Sequence, residues 1–112
     1  MIKSGPAKKL TIYVDESAKV HGKPVYEVVL EILFTRKISG ASVFRGVAGY
    51  GSEGKIHTAK ILELSTTLPV KIEVVDSEEM INIVLAEISS VVGIGLIVVS
   101  DTNVIKCCDR KQ

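Results

Sequence analysis

The order of its hydrophobic periodicities most constrains what this chain can fold into. Apolar and polar residues alternate from Leu10 to Val14, and apolar residues then recur at helical spacing from Val25 to Leu33. The first spacing predicts a half-buried strand, and the second predicts an amphipathic helix that begins at Pro24 and ends before Gly40. Alternation resumes over residues 41–48, which predicts a second strand.

The same order returns in the second half of the chain. Alternation from Val70 to Val74 predicts a third strand, and Asp76 then predicts the start of a second helix with an apolar stripe over 81–91. A last strand is predicted from Leu96 to Val99, ending or bending near residues 101–103, with a short extension through Ile105. Two strand–helix–strand units are typical of an α+β, ferredoxin-like βαββαβ sandwich, in which a four-stranded antiparallel sheet carries two helices on one face.

A connection of 20 residues, 49–68, separates the two units. It is long for a linker in a small domain, and connections of that length are commonly functional. The 13 Ile and 16 Val of the sequence supply a core dominated by β-branched residues, as a sheet requires. We therefore expect one domain, residues 1–112, with a single excursion at 49–68.

Charge and cysteine usage exclude several classes of protein. The 14 Lys and Arg residues balance 13 Asp and Glu residues without forming a basic stripe, so no nucleic-acid partner is predicted. Cys107 and Cys108 are adjacent and cannot close a loop of chain, which favours free thiols in a reducing cytoplasm. The start of the chain is too polar for a signal peptide, and the apolar run 91–99 is far shorter than the roughly 20 residues of a membrane span.

The predicted sheet has helices on one face only. The strands are hydrophobic and carry few charges, so we expect a second copy of the chain to cover the other face in a closed homo-oligomer. A domain of this size has little room for a deep cavity of its own. A ligand site is accordingly expected between subunits.

A glycine motif, Gly49-x-Gly51-x-x-Gly54, directly follows the second predicted strand. With Asp76 further on, it matches a dinucleotide-binding fingerprint, but residues 55–65 have only a weak apolar face and do not favour the helix that this fold needs. Two other interpretations stay open. The glycines could supply positive φ angles, or their N–H groups could form an anion-binding nest.

Three segments around this motif resemble the PII signal-transduction proteins. Those proteins have Gly-Phe-Gly at the start of a T-loop, then Lys-Gly-His, then a Leu-Pro-x-Val-Lys-Ile-Glu strand. The corresponding segments here are Gly40-Ala-Ser-Val-Phe-Arg-Gly-Val-Ala-Gly-Tyr-Gly51, His57-Thr58 and Leu68-Pro-Val-Lys-Ile-Glu-Val-Val75.

The sequence is even more similar to the uncharacterised PII-like family of prokaryotes. In that family the opening strand ends in an acidic residue, a segment like His21 to Pro24 begins the first helix, and Arg-Gly precedes the glycine–aromatic–glycine motif, as Arg45-Gly46 do here. The resemblance covers roughly residues 8–106. It implies a homotrimer that binds an adenine nucleotide as a regulatory ligand, with no cofactor required. The 49–68 loop would report occupancy to a target protein such as a transporter, channel or enzyme.

The resemblance also implies a set of site residues, carried over by position. Ser42 and the glycine–tyrosine–glycine motif would lie at the loop base, Val70 would line the cleft, and the turn at 93–96 would match a phosphate-binding turn. With Arg45 and His57 added on their chemistry, the candidate ligand-binding residues are Ser42, Arg45, Gly49, Tyr50, Gly51, His57, Val70, Gly93, Gly95 and Lys106.

Two departures from the PII pattern bear on the ligand. Leu96 stands where PII proteins have a phosphate-binding lysine, and their terminal Arg-x-Arg is Lys106-x-Cys108 here. The missing cations remove charge-assisted hydrogen bonds that a polyphosphate needs. AMP or a cyclic nucleotide is therefore favoured over ATP.

Single residues leave alternatives open. Arg45 could clamp a phosphate or pair with Glu73 on the neighbouring strand. His57 could contact a ligand or be a solvated loop histidine, and His21 is expected in a loop or a cap. No spacing of His and Cys residues supports a metal site, so none is predicted.

Other functional classes fit less well. The chain has no convincing nucleophile–base set, and Asp15 and Glu16 would repel the substrate of an acylphosphatase, so we do not expect an enzyme. An RNA-binding module would display aromatic residues where Lys71 and Glu73 stand. The remaining alternative is a CutA-like structural or metal-responsive trimer that binds no nucleotide.

Overall fold

The computed structural model describes residues 2–51, 54, 56–58 and 68–108. Its elements follow one another in the order β1 (Gly5–Asp15), β2 (Lys19–Val20), β3 (Lys23–Pro24), α1 (Val25–Thr35), β4 (Ala41–Arg45), β5 (Ala48–Gly49), β6 (His57–Thr58), β7 (Pro69–Asp76), α2 (Glu78–Val91) and β8 (Leu96–Val104).

Four of these strands form the main sheet, in the order β4-β7-β1-β8 with every neighbouring pair antiparallel. The register places Val70 between Arg45 on one side and Val14 on the other. This arrangement, with two helices, confirms the predicted ferredoxin-like fold. Its two central strands, β7 and β1, come from different halves of the chain.

One face of the sheet packs against both helices. The helical stripes supply Val25, Val29 and Leu33 from α1 and Ile81, Val84 and Ile88 from α2, and all six are buried. They meet the alternating residues of β1 and β7, which are Leu10, Ile12, Val14, Val70, Ile72 and Val74. Burying one such aliphatic side chain contributes about 1.5–3 kcal/mol, so this layer is the main source of stability.

The ends of the helices follow from local chemistry. The Ser77 side chain caps α2 by accepting a hydrogen bond from the Met80 N–H (3.2 Å), and two glutamates occupy its first turn. Helix α1 ends at Thr35, because Lys37 adopts a positive φ of 64° that breaks the helical path. The basic pair at 36–37 therefore lies just beyond α1 instead of in its last turn.

Two strands differ from their predicted bounds. The second predicted strand, 41–48, divides after Arg45, and Ala48–Gly49 pair with His57–Thr58 in a separate ribbon. The last strand does not end at 101–103 but continues to Val104, one residue short of the predicted extension, because β1 begins at Gly5 and offers it a partner along its whole length. The first strand is thus five residues longer at its start than the alternation from Leu10 indicates.

The other face of the sheet, here called the open face, mixes apolar and charged residues. Its exposed apolar side chains are Tyr13, Phe44, Leu96 and Val98. Glu73 lies among them and pairs with Lys71 (3.2 Å) and Lys9 (3.3 Å). Hydrogen bonds from Lys71 and then Lys9 lower the pKa of Glu73. The face is more charged than the hydrophobicity of the strands suggested, but its charges are paired.

Candidate functional site

The two ends of the sheet carry different chemistry. The end where β1 and β4 finish and β7 and β8 begin is called the loop end, because the excursion after Arg45 leaves and returns there. The opposite end, where α2 begins at Ser77, is called the cap end. The candidate residues from the sequence fall mainly at the loop end.

Arg45 is the charged residue at the base of the excursion. Its Nε donates to Oε2 of Glu16 at 2.9 Å. The expected alternative, a pair with Glu73, is wrong, because Glu73 is taken by Lys9 and Lys71 on the open face. Arg45 instead follows the register of Val43, which aligns with Ile72 on the helix-covered face, and reaches the residue that follows β1.

Two of the glycines at the loop end permit close packing. A Cβ on Gly46 would lie 2.7 Å from Cγ of Pro69, and one on Gly49 would lie 3.0 Å from the same atom. The Gly46 N–H also donates to the Pro69 carbonyl (2.7 Å), which fixes the point where the chain leaves the sheet. Gly49 therefore has a packing role that the motif alone did not indicate.

Gly51 and Gly54 behave differently. No atom of the described residues lies within 4 Å of a Cβ placed on Gly51, so this position leaves room for an incoming molecule. Gly54 has a φ of +75°, and its N–H donates to the Gly51 carbonyl (2.9 Å). The positive-φ interpretation of the motif thus holds for Gly54. His57 and Thr58 form strand β6, where the dinucleotide interpretation required a helix.

Exposed apolar side chains surround this base. Tyr50 is 74% exposed, and three aliphatic residues nearby in sequence or at the same end of the sheet are also exposed: Val47, Ile56 and Ile94. Apolar groups left in water beside an open glycine and an arginine suit a ligand with an aromatic ring and an anionic group.

The turn before β8 contributes Gly93 and Gly95. A Cβ on Gly95 would lie 2.6 Å from the Tyr13 carbonyl oxygen, so this glycine allows the turn to approach β1. Gly93 faces open space. Of the two, Gly93 has the backbone that a ligand could approach without displacing protein atoms.

Val70 lies at the loop end, but its side chain is only 2% exposed and belongs to the core. Within one subunit it cannot present that side chain to a ligand. His57 pairs with Gly49 across the ribbon, which puts its backbone at the loop base.

Ser42 and Lys106 are not at the loop end. Ser42 lines a cavity of about 290 Å³ toward the cap end, together with Glu73 and the cysteine pair that follows Lys106. Ser42 precedes Arg45 by three strand positions, about 10 Å along β4. A single subunit therefore does not bring all the candidate residues together.

Cys107 and Cys108 lie at the edge of this cavity with their sulfur atoms adjacent to each other. Because the two residues are neighbours in sequence, a bond between them would enclose no length of chain and would not restrain the fold.

Asp76, the acidic residue of the dinucleotide fingerprint, has a structural role. Its carboxylate is 3% exposed and accepts hydrogen bonds from the Ser39 N–H (2.9 Å), the Ser39 hydroxyl (3.1 Å) and the Ser77 N–H (2.7 Å). These bonds tie the turn before β4 to the start of α2. Because Asp76 is buried and holds these three donors, it does not present its carboxylate to a ribose.

The sequence reasoning missed the role of Glu16, which it treated only as a repulsive charge. Its backbone N–H donates to the Leu68 carbonyl (2.9 Å), and its side chain holds Arg45. An acidic pair directly after a strand was the available signal, but its partner lies 29 residues away. Such a pairing follows from sheet register and cannot be derived from spacing.

Metal and membrane features were also assessed for the part of the chain that the structure describes. Within it, no group of three or more His, Cys, Asp or Glu side chains is gathered as metal ligands would be. Neither described helix has the length and apolar character needed to cross a bilayer.

The sequence was compared with known protein families. Residues 7–104 match the model of DUF190, described as Uncharacterized ACR. The chain belongs to the DUF190 family. Similar members include a UPF0166 protein of Aquifex aeolicus (strain VF5), 41% identical over 88% of this chain and 92% of the relative. UPF0166 protein MJ1524 of Methanocaldococcus jannaschii is 44% identical over 89% of this chain and 93% of that protein.

Solved structures with similar folds identify the fold class of this DUF190 chain. CPII from Thiomonas intermedia K12, bound to ADP and bicarbonate, matches with a TM-score of 0.69 and 20% identity over 95% of each chain. CPII bound to ADP, AMP and bicarbonate, described as a nitrogen regulatory PII-like protein, matches with a TM-score of 0.70 and 22% identity over 95% of this chain and 94% of that one. The DUF190 chain therefore has a PII-like fold, as the resemblance implied.

Proposed function

We propose that this DUF190 protein is a PII-like regulator that binds a small adenine nucleotide, AMP or a cyclic nucleotide in preference to ATP. The loop end supports this proposal most directly. There Arg45, the open backbone of Gly51 and Gly93, and the exposed ring of Tyr50 supply a cation, backbone that a ligand can approach closely and an apolar surface. The PII-like protein CPII has been solved with ADP and AMP bound.

The site is proposed to lie between subunits of a homotrimer. One subunit separates Ser42 and Lys106 from the loop end, so a neighbouring copy is needed to complete the set. The exposed Tyr13, Phe44, Leu96 and Val98 of the open face would become buried in such an assembly.

The preference for few phosphates follows from the charges at the site. Leu96, at the position of the phosphate-binding lysine of PII proteins, is an exposed apolar residue. The guanidinium group of Arg45 is already paired with the carboxylate of Glu16. A triphosphate would lose more hydration on binding than these groups can offset.

The rest of the proposal concerns the loop. Residues 49–68 would carry the regulatory signal to a target transporter, channel or enzyme; of these, 52, 53, 55 and 59–67 lie outside the described part of the chain. The organisation as one domain of 112 residues, a cytoplasmic location and a role without catalysis belong to the same proposal.

Calorimetric titration tests nucleotide binding. We expect AMP or a cyclic AMP to bind more tightly than ADP or ATP, and light scattering during gel filtration should report three copies per particle. Binding weaker than millimolar for every nucleotide would contradict the proposal. If the trimer were present without such binding, a CutA-like structural role would be favoured.

A glycine substitution locates the site. Gly51→Val should abolish binding and leave the trimer intact, because a Cβ at Gly51 meets no atom of the described residues within 4 Å and the added side chain would occupy the ligand's space. Asn82→Val places the same side chain on an exposed position of α2 and should bind as the native protein does. Loss of the trimer in Gly51→Val alone would show that this glycine is structural.

A further inference from the structure

Glu16 connects both ends of the excursion. Its backbone N–H donates to the carbonyl of Leu68, the last residue before β7, at 2.9 Å. Its carboxylate Oε2 accepts from Arg45, the last residue of β4, also at 2.9 Å. One residue thus contacts the chain where the excursion departs and where it returns.

The surroundings of this pair are not those of a simple surface ion pair. The Glu16 side chain is only 20% exposed, whereas that of Arg45 is 53% exposed. Two buried carboxylate oxygens, Oε1 of Glu16 and Oδ1 of Asp15, accept no hydrogen bond from any residue that the structure describes. Buried carboxylate oxygens that accept no hydrogen bond make the electrostatic potential around them more negative.

The lysines of the sheet are engaged elsewhere. Lys9 and Lys71 both pair with Glu73 on the open face, and Lys71 also lies 5.0 Å from the ring centroid of Phe44. Among the residues that the structure describes, Arg45 is the cation that contacts Glu16. An anionic ligand at the loop end would have to bind the Arg45 guanidinium group that Glu16 already holds.

We propose that Glu16 is a specificity-determining residue that competes internally with the ligand for Arg45. This inference rests on the proposed nucleotide binding and goes beyond it by assigning charge selectivity to one residue. A phosphate group replaces Oε2 of Glu16 on the guanidinium, and the released carboxylate, beside Asp15, repels each further negative charge on the ligand. A monophosphate or cyclic phosphate meets less repulsion than a diphosphate or triphosphate.

The substitution Glu16→Gln tests the inference, because it removes the charge and nearly preserves the shape. Titration with AMP, ADP and ATP should show about two- to fivefold tighter binding of AMP, the range expected when an exposed ion pair no longer has to be broken. The gain should grow by roughly twofold for each negative charge added to the ligand. Glu31→Gln is the matched control, because Glu31 of α1 forms a more exposed ion pair with Lys23 of β3 (3.6 Å), so this substitution should change no affinity.

The outcomes separate the inference from the proposed function. If the native protein binds AMP and Glu16→Gln binds it equally or more weakly, internal competition is wrong while nucleotide binding stands. If neither protein binds any nucleotide, both are wrong. Binding by Glu16→Gln alone would support the competition directly, as would a gain for AMP that increases for ADP and ATP.

A second variant covers the case in which Glu16→Gln does not fold. Glu16→Asp retains the charge but is one methylene too short to hold Arg45, so AMP affinity should still rise and ATP selectivity should stay near the native level. Amide exchange gives an independent measure of the contact. The Gly46 N–H, which is bonded to the Pro69 carbonyl directly after Arg45, should exchange faster in either variant, and unchanged exchange together with unchanged affinity would overturn the inference.

Discussion

Two carboxylates at opposite ends of the sheet show how differently this protein uses the same group. Asp76 at the cap end is 3% exposed and accepts three hydrogen bonds from Ser39 and Ser77. Glu16 at the loop end is partly exposed, has one partner in Arg45, and keeps one buried oxygen without a described donor.

The difference indicates where stability and ligand binding reside. A fully satisfied buried carboxylate stabilises one arrangement of its neighbours, so Asp76 joins α2 to the turn before β4. A carboxylate with one exchangeable partner permits replacement, so Glu16 can give up Arg45. The cap end is therefore expected to respond to substitution with lost stability, and the loop end with altered affinity.

The largest expected effect tests the cap end. Asp76→Ala leaves three donors without an acceptor in a buried place, and we expect a loss of about 3–5 kcal/mol in the free energy of unfolding. Urea denaturation followed by circular dichroism measures it. A loss below about 1 kcal/mol would mean that water replaces the carboxylate and that the two ends do not differ as described.

A smaller effect is expected where the loop end is tightly packed. Gly95→Ala places a Cβ 2.6 Å from the Tyr13 carbonyl oxygen, and relieving that contact should cost about 1–3 kcal/mol of stability. Gly93→Ala, two residues earlier and in open space, is the control and should stay within about 0.5 kcal/mol. Equal losses in the two variants would contradict the packing role assigned to Gly95.

The smallest effect concerns an exposed pair at the cap end. The hydrogen bond between Lys8 and Asp101 lowers the pKa of Asp101 and raises the pKa of Lys8. A lowered carboxyl pKa stabilises the fold above the unfolded-state pKa, and that contribution is lost as the pH falls through the folded-state value, below about pH 4. The Lys8 contribution is lost in the opposite direction, as the pH rises above about 10.

Asp101→Asn should therefore lower stability slightly near neutral pH and flatten the decline of stability in acid. Thermal melting between pH 7 and pH 2 measures both changes. Because both side chains are solvated, the loss should be much smaller than that of Asp76→Ala. If Asp101→Asn lost as much stability as Asp76→Ala, solvent exposure would not explain the difference between Asp101 and Asp76.

Much of the fold could be predicted because its signals are local. The alternation of Val70 to Val74 and the stripe of α2 each arise within one element, and the structure confirms both. The bounds of β1 and β8 were harder to predict from the sequence, because each strand is lengthened by pairing with the other at residues 5–7 and 102–104. Strand length there depends on a partner that is distant in sequence.

The candidate site was predicted less completely. The sequence located Arg45 and the glycine motif at one loop base, but of its two interpretations of Arg45 the pair with Glu73 is wrong, since Glu16 is the partner. It also treated Gly49, Gly51 and Gly54 alike. In the structure Gly49 packs on Pro69, Gly51 is open, and Gly54 takes a positive φ. Which role a glycine has depends on what its missing Cβ would touch.

The sequence by itself determined the order of elements, the apolar faces of both helices and the family resemblance, because these depend on neighbouring residues and their spacing. Only the tertiary structure decided that Glu16 meets Arg45 and that Asp76 is fully satisfied. Both contacts arise from the antiparallel register of β1, β7 and β4, which brings together residues that are 29 and 37 positions apart. Hydrophobic periodicity specifies which face of a strand is buried, but not which polar side chains come together at its ends.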